Sequence, residues 1–244
     1  MRHFPYVRYL LVALTFLLCR GASADTLLVA GGAGYKRPIA ELSAAFEKKT
    51  GHKVEQIYGH MAAVLSQAKQ SGQVAVVFGD LSYLEKAEGI SFAGFLPLGD
   101  GRLVVGWRKD MVMKSVDELV EPRFARIAMP DTKAAIYGIA AAEFLQRSGL
   151  ESRVKDRLRV VATVPQVSAY LLTGEVDAGL FNLTEALAIK EKLGGHIEID
   201  RKLYSPIRIV AGVVKGFEDQ VALKSLREFL ATAEAKGILD KHGL

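Results

Sequence analysis

The sequence predicts an α/β protein whose mostly parallel sheets are flanked by helices, and three observations predict it. Short apolar runs alternate with segments whose apolar residues recur at helical spacing, along nearly the whole chain. One of these runs, Val74 to Phe78, is continuously apolar, as strands covered on both faces of a parallel sheet are. The first junction between strand and helix, Gly31-Gly32-Ala33-Gly34, is a tight loop almost without side chains.

In chain order, Leu27 to Ala30 is a first strand, too short for a helix and followed by glycines. Ile39, Leu42, Ala45 and Phe46 then mark a helix, which Gly51 stops. Val54 to Tyr58 is a second strand with Gly59-His60 as its loop, and Met61 to Gln70 a second helix closed by Ser71-Gly72. After the strand Val74 to Phe78, Gly79-Asp80 caps a short helix from Leu81 to Ala87. This βαβαβα course argues for right-handed crossovers in a parallel sheet. Leu103 to Trp107 is another strand, Ser115 to Leu119 a short helix, and Ala125 to Met129 a strand ended by Pro130-Asp131. Tyr137 to Gln146 is helical, Arg159 to Ala162 a strand, and a helix follows with Pro165 at its first position, stopped by Gly174. Val176 to Phe181 is a strand, Thr184 to Lys192 a helix, and His196 to Ile199 a strand of what can be a second sheet. Ile207 to Val214 is a long apolar strand, and Leu223 to Ala235 one amphipathic helix. The strands Leu103 to Trp107 and Ile207 to Val214 are the candidate crossings between two lobes. They divide the chain into residues 25–102 plus 208–244 as lobe one and 103–207 as lobe two. No internal repeat is evident.

Composition bounds the function. The 244 residues are 50% hydrophobic and 24% charged, as ordinary globular proteins are. Arg2 and Arg8 precede an apolar run from Tyr9 to Cys19, and Ala22-Ser23-Ala24 is a small-x-small cleavage site. Residues 1–24 therefore predict a cleaved secretory signal and an extracytoplasmic, periplasmic protein starting at Asp25. A lipidated Cys19 is the rival reading, with bulky Leu18 against it. Removing Arg2, Arg8 and Arg20 from the 32 basic residues leaves 29 against 27 acids, a net charge near +2. No basic stripe with interleaved aromatics calls for nucleic acid. The mature chain has no cysteine, and no G-x-S-x-G elbow, P-loop or dinucleotide fingerprint is present, so no enzyme class and no cofactor is indicated.

Ligands of open α/β sheets lie beyond the carboxyl ends of the strands. Five loops fall there, around Gly34, His60, Asp131 to Tyr137, Val164 and Asn182. Several lead into helices, whose first N–H groups lack intrahelical partners and favour an anion. His60 is a candidate anion donor or metal ligand. Tyr137 and Tyr58 can donate to an oxyanion or, ionised, bind a ferric ion. Asn182 is a candidate amide donor, and Lys36, Arg37 and Lys133 could assist. Met61 reads as core, Glu143 and Glu185 as surface charges, and His52, His196 and His242 as solvated. No His/Asp/Glu spacing matches a metal motif.

Taken together, Phe46-Glu47-Lys48-Lys49-Thr50-Gly51 with Val54, Tyr58-Gly59, Val76-Val77-Phe78, Ala135-Ile136-Tyr137-Gly138, Phe144 to Leu150, Thr173 to Gly179, Leu183-Thr184-Glu185-Ala186 and Tyr204-Ser205-Pro206-Ile207 carry a resemblance. The chain resembles the periplasmic solute-binding proteins of the molybdate-binding kind. The resemblance implies a two-lobed type II periplasmic binding protein fold with two crossing strands and a molybdate- or tungstate-like oxyanion in the cleft. It also implies a monomer that delivers its ligand to an ABC transporter membrane permease. Val164 matches a position that offers its backbone N–H. Gly34 stands where the family places a serine, His60-Met61 replace paired serines, Ile136 and Tyr137 replace a proline and a small residue, and Asn182 stands for a tyrosine. Val76 stands where an aspartate precedes the strand. The expected ligand-binding set is Gly34, His60, Tyr137, Val164 and Asn182. Two alternatives keep the scaffold: a transition-metal cation on His60 and Tyr137, or a small organic anion. A third is a secreted enzyme or a sensor partner of the same fold.

Overall fold

The structure, a computed structural model, describes residues 25–244. The expected signal segment, with Cys19, lies outside the described residues. The elements run β1 (Thr26–Gly32), α1 (Lys36–Thr50), β2 (Lys53–Gly59), α2 (Met61–Ser71), β3 (Val76–Asp80), α3 (Leu81–Glu85), β4 (Phe92–Gly101), β5 (Leu103–Arg108), β6 (Ile127–Pro130), α4 (Ile136–Arg147), α5 (Glu151–Val154), β7 (Leu158–Val161), α6 (Val164–Thr173), β8 (Ala178–Asn182), α7 (Leu183–Ile189), β9 (Leu193–Glu198), β10 (Ile207–Val214), α8 (Val221–Leu230) and α9 (Ala233–Lys241). Short 3₁₀ turns at Ala33–Tyr35, Val116–Val120, Lys155–Arg157, Lys190–Lys192 and Arg201–Leu203 link them. Among the described residues no helix is long and apolar enough to cross a membrane.

Two five-stranded sheets form two lobes, ordered β2-β1-β3-β10-β4 and β7-β6-β8-β5-β9. In each, the first three strands are parallel and the fourth pairs antiparallel with both of its neighbours. The chain leaves the first sheet after Gly101, enters the second at Leu103, and returns between Glu198 and Ile207. The third strand of each lobe, β3 and β8, is buried at every residue, which is why both read as unbroken apolar runs. Helices pack over both sheets. α1 ends at Gly51, α2 at Gly72 and α6 at Gly174, each in the left-handed region that glycine adopts without Cβ strain.

Three local expectations are corrected. The sequence pattern gives no element for β4, because Pro97 and three glycines interrupt it. Pro97 is tolerated because β4 is an edge strand, and the register slips by one residue there against β10. The helix expected from Leu223 to Ala235 is two: α8 ends at Leu230, and Thr232 caps α9 by accepting from the Ala235 amide at 3.2 Å. Pro165 is the second residue of α6, not the first. In lobe two, the sole tryptophan, Trp107 of β5, packs against β9, where a Cβ on Gly195 would fall 2.4 Å from the indole.

Candidate functional site

Each βα corner of the cleft has its own local cause. At the first, β1 ends in Gly31-Gly32, and a Cβ on Gly31 would sit 2.8 Å from Ile39 Cδ1, so α1 closes directly onto the strand end. Ala33–Tyr35 makes one 3₁₀ turn and sends Tyr35 inward, 2% exposed. At the second, His60 caps α2. Its Nδ1 accepts from the Ala63 amide at 3.2 Å. A neutral ring with Nδ1 accepting must carry its proton on Nε2, which makes that nitrogen a donor. The amides of Met61 and Ala62, in the first turn, have no intrahelical partner.

Lobe two repeats the arrangement. Ala135 enters α4 without a side-chain cap. The preceding loop is pinned by Asp131, whose carboxylate accepts from the amides of Ala134 and Lys133 at 2.6 and 2.8 Å. Those two hydrogen bonds hold Asp131 below the usual carboxylate range. α6 starts with a capping box in which Thr163 and Gln166 satisfy each other's backbone, leaving the Val164 amide free of a helix partner. At the last corner Asn182, fully buried, caps α7 through the Glu185 amide at 3.1 Å.

These corners enclose a cavity of about 30 Å³ between the lobes, with Gly34, His60, Tyr137 and Val164 on its wall. Asn182 stands one layer behind, its Nδ2 donating to the Gly34 carbonyl at 3.0 Å. The N-termini of three helices, α2, α4 and α6, of 11, 12 and 10 residues, open on the same cavity. Formal charge is scarce there. Gly34 also has a packing reason: a Cβ would lie 3.1 Å from Asn182 Nδ2 and 3.2 Å from Val164 Cβ.

Several residues differ from their sequence reading. Tyr35, not singled out by sequence, meets Tyr137 across the lobes, their hydroxyls sharing a hydrogen bond of 2.5 Å. Burial pushes both phenols well up. Glu185, expected on the surface, is buried; Arg37 reaches it from lobe one at 3.2 Å, and Ser168 Oγ donates to it at 2.8 Å. Arg37, expected to help hold an anion, is thus an interlobe tie. Glu143, read as a surface charge, is partly buried and accepts from the Ser205 hydroxyl at 3.0 Å. Met61 is core, as read, and lines the same cavity. Tyr58 lies off the cavity wall, donating to Gln56 at 2.5 Å, and burial pushes its phenol up to about 12. His52 is buried against Phe46 and His242 pairs with Glu41 at 2.8 Å, so neither is a solvated side chain. Among the described residues no three His, Cys, Asp or Glu side chains cluster to hold a metal ion.

Residues 27–244 match the family described as bacterial extracellular solute-binding protein. The chain is 28% identical to a molybdate-binding protein, ModA, of Rhodobacter capsulatus, over 95% of this chain and 93% of that one. The periplasmic molybdate-binding protein of Azotobacter vinelandii superposes with a TM-score of 0.80 at 23% identity, over 89% of this chain and 97% of that one. The sulfate-binding protein SubI of Mycobacterium tuberculosis H37Rv superposes at 0.73 and 15% identity, over 90% and 86%. These likenesses in structure are likenesses of fold.

Proposed function

The chain belongs to the bacterial extracellular solute-binding protein family, and from that membership we propose that it captures a small anion between its lobes and passes it to a membrane ABC permease. It acts outside the cytoplasm, as a monomer, and binds rather than catalyses. The acidic group of the ligand lies against the amides of Gly34, Ile136, Tyr137 and Val164 and the Nε2–H of His60, with Asn182 fixing the Gly34 loop from behind. The links around Arg102 and from Ile199 to Pro206 flex as the hinge, and ligand selects the closed arrangement. The observation that carries this reading is the convergence of three long-helix N-termini on one cavity with few charged side chains. A cavity wall without Asp or Glu among the described residues favours an anion over a metal cation. The names of relatives that bind molybdate and sulfate support the same chemical class.

A thermal-shift panel of molybdate, tungstate, sulfate, phosphate, small organic acids and divalent and ferric cations tests it, because a ligand specific to the native state raises the melting temperature. An anion is expected to raise it, and His60→Ala to remove most of the rise. A rise with cations alone ends the proposal.

A further inference from the structure

The 30 Å³ cavity holds about one or two waters, far too little for an organic molecule. A second cavity adjoins it, also between the lobes. It measures about 700 Å³, within the range of about 300–1,000 Å³ usual for small-molecule pockets. Ile136, at the start of α4, is wall to both. Helix α2 is shared in the same way: Met61 lines the small cavity, and Leu65 and Lys69, further along, line the large one.

The large cavity has a distinct chemistry. Leu65, Ile136, Ile139 and Ile207 give it an apolar lining. Two of its acids are engaged in hydrogen bonds. Asp80 accepts from Ser82 Oγ, the Tyr83 amide and the Arg208 amide at 2.5, 3.1 and 2.8 Å. Glu143 is held by Ser205 and, at 3.1 Å, by Arg147. Its two lysines, Lys69 and Lys86, are not among the lysines that form ion pairs within the described residues. Glu88 on the rim offsets only one of them. The space beside the amide cavity therefore carries an apolar stripe, with Lys69 and Lys86 on its wall.

We propose that the ligand is an extended organic dianion, not a bare oxyanion: one acidic group enters the amide cavity, the carbon frame lies along α2 in the large cavity, and the second acidic group meets Lys69 and Lys86. The inference rests on the anion reading above. Met61 and Lys69 are ~12 Å apart along the helix axis, and lysine side chains lean back toward the N-terminus, which leaves room for a frame of about four to six carbons.

Calorimetry with the purified protein and succinate, glutarate, adipate, 4-phosphonobutyrate, molybdate and tungstate separates the outcomes. The expected result is binding by at least one of the four organic acids, weakened tenfold or more by Lys69→Glu and by Ser66→Trp, which fills the large cavity from an exposed position. His60→Ala is expected to weaken the same ligand. Binding of molybdate or tungstate alone, untouched by Ser66→Trp, overturns this inference and leaves the anion reading in place. Organic-acid binding that Ser66→Trp abolishes and His60→Ala does not alter upholds the large cavity and overturns the role of the small one. No binding by any of the four organic acids overturns the inference.

Discussion

The two lobes follow the same course, and the informative difference lies at one equivalent corner. In each sheet the third strand is central, its neighbour is the strand arriving from the other lobe, and the edge is the strand from which the chain departs. The third strand ends in Asp80 in lobe one and Asn182 in lobe two. Both are buried, and both cap the next helix, accepting from Tyr83 N and Glu185 N at 3.1 Å each. The second atom of each group separates them. The other oxygen of Asp80 accepts from the Arg208 amide, a strand of its own lobe, at 2.8 Å. The nitrogen of Asn182 donates across the cleft to the Gly34 carbonyl at 3.0 Å. A carboxylate can only accept, so it serves within its lobe; an amide can cap with one atom and clasp the opposite carbonyl with the other.

The largest test exchanges that one atom. Asn182→Asp keeps the cap but aims an oxygen at the Gly34 carbonyl, leaving a buried unpaired charge that is expected to cost about 3 kcal/mol at neutral pH. The new carboxyl would have its folded pKa raised above the unfolded value. The variant is therefore expected to regain stability as pH falls below the unfolded carboxylate range and to lose it as pH rises through the folded value. Urea unfolding at pH 7 and pH 4 reads this; equal loss at both would mean the clasp is not electrostatic. Next is Arg37→Ala, which removes the charged partner of buried Glu185 and leaves it Ser168 alone, at an expected cost of about 2 kcal/mol. It should also shift the lobes toward the open arrangement, measured by small-angle scattering; an unchanged scattering profile and unfolding midpoint would show that the tie does not hold the lobes together. The smallest effect belongs to a tie within one lobe. Glu41 on α1 accepts from Lys241 at 2.8 Å and from His242 at 2.8 Å, and those two hydrogen bonds hold its carboxyl below the usual range. A depressed folded pKa adds stability above the unfolded carboxylate pKa and loses it as pH falls through the folded one. Because the pair is partly exposed, Glu41→Gln is expected to cost about 0.5 kcal/mol at neutral pH and nothing in ligand affinity. A change in affinity would show that α9 is coupled to the cleft.

Much of the scaffold was legible because each signal is local. Strand runs, glycine stops and loop-to-helix junctions occupy a few adjacent residues, and they placed Gly34, His60, Tyr137 and Val164 at strand ends that share a cavity. Contacts between distant residues left no such trace. The positions of Asn182 and Gly34 were visible, but their hydrogen bond spans 148 residues. Tyr35 carried no signal of its own beside the Gly31–Gly34 loop, and its partner Tyr137 lies 102 residues on. Glu185 read as a surface acid because helical spacing alone does not reveal that the opposite lobe covers it. β4 was invisible for another reason: an edge strand can carry a proline and a bulge that would disqualify a central one. The likeness between lobes also escaped sequence comparison, because it is a likeness of strand order and not of side chains.

The position of Trp107 has a practical use. The chain has a single tryptophan, buried in β5 at 5% exposure and seated on the glycines of β9. Its emission therefore watches the second sheet alone, whereas far-ultraviolet dichroism averages over both. Recorded together during denaturation, the two signals tell whether the halves melt as one cooperative body or in succession.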